Sequence, residues 1–191
     1  MPRLGILGGT FDPPHLGHIA LAQSAIKELS LSKILFIPSR IPPHKLSTNV
    51  SPENDRLKML EFALGDYPDM EITDMEFRRT GKSYTYETIL ELKKLYHNDE
   101  LFFIIGADNI HEMESWYKPD ELVTMINFVA ANRPGFEPHG RFKDQVKMFE
   151  MVPNNISSTE IRKKVSLGED VSGYVNPAVN EYIMKNRLYK R

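Results

Sequence analysis

Cysteine is absent from the 191 residues. That excludes thiolate metal sites, a cysteine nucleophile and a disulfide-stapled secreted scaffold. Long hydrophobic runs are missing too. No apolar stretch approaches the roughly 18 residues a membrane helix needs, and the apolar stretch opening the chain is too short for a signal peptide. A cytoplasmic protein that engages no membrane is expected. Charge of either sign is in small excess, 24 Lys and Arg against 26 Asp and Glu, for a net −2. The chain therefore has no global basic field for nucleic acid, and any anionic ligand must be met by a local cluster of donors. Tryptophan occurs once, at Trp116, and no basic-aromatic platform for RNA is apparent. Internal repeats, low-complexity tracts and composition breaks are lacking as well. A single domain follows, able to bury about 70% of its unfolded surface.

What is present alternates short strands with helices. Residues 4–7 form an apolar run ending in Gly8-Gly9, and residues 34–37 form another, stopped by Pro38. Between them Leu16, Ile19, Ala20, Ile26 and Leu29 recur at helical spacing. Ser51-Pro52-Glu53 reads as a helix start, with Ser51 as N-cap and Pro52 at the first helical position. Tyr86, Ile89, Leu90 and Lys93 mark an amphipathic helix with Leu92 and Tyr96 on its flank. Residues 101–105 form the strongest strand and end in Gly106; residues 126–131 and, more weakly, 147–152 follow. Ser157-Ser158-Thr159-Glu160 is a capping box opening a helix, and a last helix covers 177–185. The fold class implied is α/β: a Rossmann-like, doubly wound parallel sheet with helices on both faces, with a small C-terminal helical portion over about 157–191.

Such sheets bind ligands at the carboxyl ends of their strands, where four notable clusters fall. The first is Gly8-Gly9-Thr10-Phe11-Asp12-Pro13-Pro14-His15-Leu16-Gly17-His18. Paired glycines after a strand let main-chain N–H groups approach a phosphate, and the following helix points its positive end there. His15 and His18, three apart, share one side of that helix start, and Gly17 leaves room for a bulky ligand. The Lys-Ser/Thr of a P-loop and the spacing of a dinucleotide fingerprint are both missing. A zinc site would need a third ligand at a recognisable spacing, and none stands there. The other clusters are Ile41-Pro42-Pro43-His44-Lys45, Gly106-Ala107-Asp108 and Asn132-Arg133-Pro134-Gly135.

With Ser83-Tyr84-Thr85, Trp116-Tyr117 and Ile156-Ser157-Ser158-Thr159-Glu160-Ile161-Arg162, this set resembles the H-x-G-H nucleotidyltransferase superfamily. Within it, the set is similar to the bacterial nicotinate mononucleotide adenylyltransferases, in order and spacing from Leu4 to Leu188. The resemblance implies AMP transfer from ATP to nicotinate mononucleotide in NAD biosynthesis, with pyrophosphate released and no covalent enzyme intermediate. It implies His18 and His15 as catalytic phosphate contacts. Gly8, Gly9, Thr10, Phe11, Ile156, Ser157, Ser158, Thr159 and Arg162 join them around ATP. Lys45, Thr85, Gly106, Asp108, Trp116, Tyr117 and Arg133 serve the acceptor. Mg²⁺ would be carried with ATP, with no dedicated metal ligands. The implied partners are the two small-molecule substrates, with no nucleic acid and no membrane; a homo-oligomer is compatible with the chain.

Plainer roles stand beside these. Asp12 suits turn formation as well as ligand contact, Trp116 a core or rim aromatic, Asp108 a helix cap, and Ser157 an ordinary capped surface helix. An enzyme acting on phosphopantetheine or choline phosphate is opposed by Trp116 and the Pro-Pro-His-Lys loop. A silent nucleotide-binding module is opposed by the presence of both histidines. The loop over residues 39–50 is expected to close over substrates. Asn186 stands near where relatives carry glycine before the final Leu-Tyr, and is expected to adopt the left-handed cap.

Overall fold

The computed structural model describes residues 1–41, 50–132, 137–152 and 154–190. Six strands form one sheet: β1 (Arg3–Gly9), β2 (Lys33–Pro38), β3 (Met70–Ile72), β4 (Glu100–Gly106), β5 (Asn127–Ala131) and β6 (Val146–Phe149). Their order is β3-β2-β1-β4-β5-β6 and every pairing is parallel. Parallel pairing needs crossovers, and the helices that supply them cover both faces, so the strands read as continuous apolar runs. The chain winds outward from β1 through β2 to β3, then returns to lay β4 against the other side of β1. The strand order reverses there, and a crevice opens beyond the ends of β1 and β4.

Among the described residues six α-helices are formed: α1 (Leu16–Leu29), α2 (Glu53–Leu64), α3 (Thr85–Leu95), α4 (Pro119–Met125), α5 (Ser158–Ser166) and α6 (Pro177–Lys185). Ile19, Ala22, Ala25 and Leu29 of α1, with Leu60 and Leu64 of α2, cover the face built by Leu7, Phe36, Phe102 and Ile104. Ile89 and Leu92 of α3, with Leu122 of α4, cover the face built by Ile6, Leu35, Phe103 and Phe128. Helix α2 is buried on two sides. Its Met59 and Ala63 point away from the sheet and pack on Ile161 and Val165 of α5 and Val179 and Ile183 of α6. Through α2 the C-terminal helical portion is tied to the sheet that carries the crevice.

Several local expectations shift. Strand β3, three residues long, is too short for a periodic signal. Helix α2 begins at Glu53 with Pro52 as N-cap and no side-chain cap; Ser51 lies one residue outside it, its main-chain N–H donating to the Asp12 carboxylate at 3.1 Å. On α3 it is Leu92 that is buried and Leu90 that is exposed. Asn186 is not the left-handed residue; its φ is −89°. Arg187 takes that conformation with φ 54°. The closing bonds run from Leu188 N–H to Ile183 O and from Arg187 N–H to Met184 O, the Schellman pattern with Arg187 at C′.

Candidate active site

Strand β1 delivers Gly8 and Gly9 to the crevice, and the chain then turns sharply. Phe11 adopts φ 50° and drops its buried ring edge-on to His18, 5.0 Å between centroids, and against Phe36. His15 is the N-cap of α1 and His18 its third residue. The two imidazoles stack with centroids 3.7 Å apart. The His15 N–H donates to His18 Nδ1 at 3.1 Å. That nitrogen must therefore be unprotonated, and the proton of the neutral ring sits on Nε2. His15 is 7% exposed, and burial pushes its imidazole down to about 4. Its Nδ1 has no partner among the described residues. Near neutral pH His15 is uncharged and His18 is fixed in one tautomer.

Gly17 does not open space for a ligand. A Cβ there would lie 2.7 Å from Asn154 Oδ1 and 2.9 Å from His15 Nδ1. The missing side chain lets the buried imidazole and an amide close over the helix.

The segment before α5 approaches the same helix start from the other side. Ser157 is the N-cap of α5, and its hydroxyl accepts the Glu160 N–H at 3.2 Å. Ser158 and Arg162 point instead at the loop before α1. Ser158 Oγ donates to Pro13 O at 2.8 Å. Arg162 donates one N–H to Asp12 O at 2.7 Å and another to Thr159 Oγ1 at 3.3 Å. The helix N-terminus remains a favourable place for an anion, while two of its side chains brace the glycine-rich loop.

At the far side of the crevice β4 ends at Gly106. Asp108 folds back so closely that a Gly106 Cβ would lie 2.5 Å from its Oδ1. Trp116 is half-buried, edge-on to Phe103 and Phe128 at 6.3 and 6.1 Å. Tyr117 is exposed and packs on Tyr84 and Tyr86. Helix α3 starts here at Thr85, and its N-cap Tyr84 makes no side-chain cap. Beneath it Thr88 Oγ donates to Glu76 Oε1 at 2.6 Å, and Arg79 donates to the Thr88 hydroxyl.

All these parts line one cleft of about 840 Å³. Gly8, Gly9, Thr10, Phe11, His15 and His18 form one wall, and Ile156, Ser157, Ser158, Thr159 and Arg162 the adjoining one. Thr85, Gly106, Asp108, Trp116 and Tyr117 form the opposite end. Lys45 and Arg133 lie outside the described residues, as does His44.

Sequence reasoning missed Arg56. It stands on the buried side of α2, 1% exposed, and donates to four main-chain carbonyls: Ser51, Thr10, Ser39 and Arg40. It thereby joins the ends of β1 and β2 beneath the crevice. Its spacing was a usable signal, since Arg56 precedes Leu60 by four and shares the apolar face. Asn154 over Gly17, and the Glu76, Arg79 and Thr88 group, carried no such signal.

The cytidylyltransferase-like family model matches residues 6–164. A Geobacillus thermodenitrificans protein named "Probable nicotinate-nucleotide adenylyltransferase" is 42% identical over 192 residues, 99% of this chain and 87% of its own length. A Listeria monocytogenes protein of the same name (serovar 1/2a) is 42% identical over 187 residues, covering 98% and 97%. The solved Plasmodium falciparum nicotinic acid mononucleotide adenylyltransferase complexed with NaAD superposes with a TM-score of 0.82 at 23% identity, covering 99% and 98%. That likeness shows the fold. With the family match and relatives of this identity, the chain belongs to the cytidylyltransferase-like family, among its nicotinate-nucleotide adenylyltransferases.

Proposed function

We propose that the protein transfers AMP from ATP to nicotinate mononucleotide, forming nicotinate adenine dinucleotide and pyrophosphate. One observation carries the reading. A polar cradle at the starts of α1 and α5 and an aromatic end at Trp116 occupy a single cleft across the switch point between β1 and β4. An oxygen of the acceptor phosphate attacks the α-phosphorus of ATP. The bond to the bridging oxygen breaks, and pyrophosphate leaves with that electron pair. The nucleophile is already an anion, so no general base is needed; placement and charge stabilisation supply the catalysis.

The Nε2–H of His18 is assigned to an α-phosphate oxygen. His15, kept neutral by burial, adds a dipole without placing a positive charge against its stacked neighbour. Gly8, Gly9, Thr10 and Phe11, with Ile156, Ser157, Ser158, Thr159 and Arg162, are assigned to ATP. Trp116 is assigned to stack on the pyridine ring, Gly106 and Asp108 to the acceptor ribose, and Lys45 and Arg133 to phosphate charge. Main-chain N–H groups at Thr85 and Tyr117 are assigned to the ring carboxylate. An amide there would oppose its own donors to theirs, which favours the acid. Among the described residues no three His, Asp or Glu side chains cluster as a metal site would need. Mg²⁺ is assigned to the ATP substrate, held by phosphate oxygens and water. No helix among the described residues is long and apolar enough to cross a membrane, and a cytoplasmic ATP-consuming enzyme is the reading these features support.

The test is direct. Purified protein with MgATP should release pyrophosphate and form the dinucleotide only when nicotinate mononucleotide is present, and in competition should prefer it to nicotinamide mononucleotide. Folded protein that makes no dinucleotide refutes the proposal. His18→Ala should lower kcat by about 10²–10³-fold, the cost of losing one preorganised donor.

A further inference from the structure

The loop between β1 and α1 has no regular structure of its own, yet its polar groups are held by residues remote in sequence. Thr10 O accepts from Arg56, Asp12 O from Arg162, and Pro13 O from Ser158. The Asp12 side chain, 2% exposed, is the hub. Its Oδ2 accepts the Ser51 N–H at 3.1 Å, and its Oδ1 accepts the Tyr189 hydroxyl at 2.6 Å. Tyr189 reaches this point from beyond α6, in a left-handed conformation with φ 62°. Its ring joins the cluster between α2, α5 and α6, and its oxygen lies 3.9 Å from Met59 Sδ.

We propose that Tyr189 is a positioning residue for adenylyl transfer, acting through the Asp12 carboxylate to fix the loop that carries Phe11, His15 and His18. The proposal rests on the function assigned above. Its physical content is that a buried carboxylate oxygen deprived of its donor must find another or admit water. Either outcome shifts Asp12, which stands one residue from the Phe11 ring beneath His18 and three residues from His15. In-line transfer depends on sub-ångström placement, and an error of about 1 Å can cost about 10²-fold in rate. Ground-state binding of ATP draws on many main-chain groups and is much less sensitive.

The fold supplies an internal control. Tyr182, on α6, donates its hydroxyl to Asp55 Oδ1 at 2.8 Å. It makes the same kind of bond from the same helical portion, but to α2 and not to the loop. Tyr189→Phe and Tyr182→Phe each delete one hydroxyl and keep the ring. Steady-state kinetics of both, with thermal unfolding measured alongside, tests the proposal. Tyr189→Phe should lower kcat by about tenfold or more, with the KM for ATP within about threefold, at a Tm close to that of Tyr182→Phe. Tyr182→Phe should keep kcat within about twofold. Wild-type kcat in Tyr189→Phe overturns the proposal, as do equal losses of kcat in both variants that track their Tm. If Tyr189→Phe does not fold, Asp12→Ala is read the same way. It removes both oxygens that hold the Ser51 N–H and the Tyr189 hydroxyl, and undiminished kcat in the folded variant overturns the proposal. Absence of turnover in the wild-type reference refutes the substrate assignment and this role with it, whereas an active wild type matched by an undiminished Tyr189→Phe refutes this role alone.

Discussion

Replacing His15 with Gln should flatten the acid side of the stability curve. His15 is 7% exposed, and desolvation holds its imidazole down to about 4 from the 6.5 of an exposed ring. Between those values the unfolded chain takes up a proton that the folded chain refuses. Stability therefore rises with pH from about 4 to about 6.5 and is lost as the pH falls through that window. At pH 5 the unfolded imidazole is almost fully protonated and the folded one only about a tenth so. The resulting loss between pH 7 and pH 5 is about 2 kcal/mol, approaching about 3 kcal/mol below pH 4. For a chain of this size that is a fall in Tm of about 4–8 °C at pH 5. Carboxylates contribute their own slope, so the decisive quantity is the difference between two proteins. Urea unfolding of wild type and His15→Gln at pH 7 and pH 5 should show the variant losing about 2 kcal/mol less. Parallel stability curves for the two would refute the assignment of a buried, neutral His15.

Three further outcomes are expected. Arg187→Gly should raise Tm by about 1–3 °C in calorimetry, because a left-handed L-residue costs about 1–2 kcal/mol that glycine avoids, of which glycine's greater unfolded freedom takes back about 0.5–1 kcal/mol; an unchanged or lower Tm would contradict the strain at this cap. Arg56→Leu should destabilise by about 3 kcal/mol or more in denaturant titration, since four buried carbonyls lose their donor together, and wild-type stability would show those bonds to be inconsequential. Gly17→Ala should leave α1 intact by circular dichroism yet lower kcat by about tenfold or more, as the added methyl displaces Asn154 and the His15 ring; undiminished kcat would mean that the histidine stack tolerates displacement.

The parallel sheet was legible because β1, β2 and β4 are buried on both faces and read as uninterrupted apolar runs closed by glycine or proline. Strand β3 escaped because three residues carry no period. The exchange of Leu90 for Leu92 on α3 came from counting a helical stripe without knowing which side met the sheet. The cleft was legible for a different reason. Its residues sit at strand ends and helix starts, where glycine, histidine and serine have few structural reasons to gather. What stayed hidden were contacts between distant segments. Ser51 looked like a cap because Ser-Pro-Glu is a good local signal; the helix starts one residue later, and the Ser51 main-chain N–H goes to Asp12, 39 residues away. The Tyr189 hydroxyl meets a buried carboxylate 177 positions earlier, a pairing that no local pattern carries. Arg187 in place of Asn186 is a one-position error in the cap, since the C′ residue is fixed by where the last helical carbonyls fall.

A net charge of −2 is compatible with two polyanionic substrates because Arg162 in the cleft wall and Arg56 beneath the crevice do structural duty first. Arg162 is committed to Asp12 O and Arg56 to the carbonyls of Thr10, Ser39, Arg40 and Ser51. His15 is neutral, and His18 has one nitrogen fixed as an acceptor. On the proposed reaction this is the better arrangement. A wall of uniform positive charge would hold ATP and departing pyrophosphate alike, which deepens the ground state without lowering the barrier. Fixed N–H dipoles aimed at the α-phosphate gain strength where charge grows in the transition state, and they need no reorganisation to do so. The value of such dipoles lies in their aim. The two arginines, Ser158 and the Asp12–Tyr189 bond, all clamped on one short loop, supply the rigidity that keeps it.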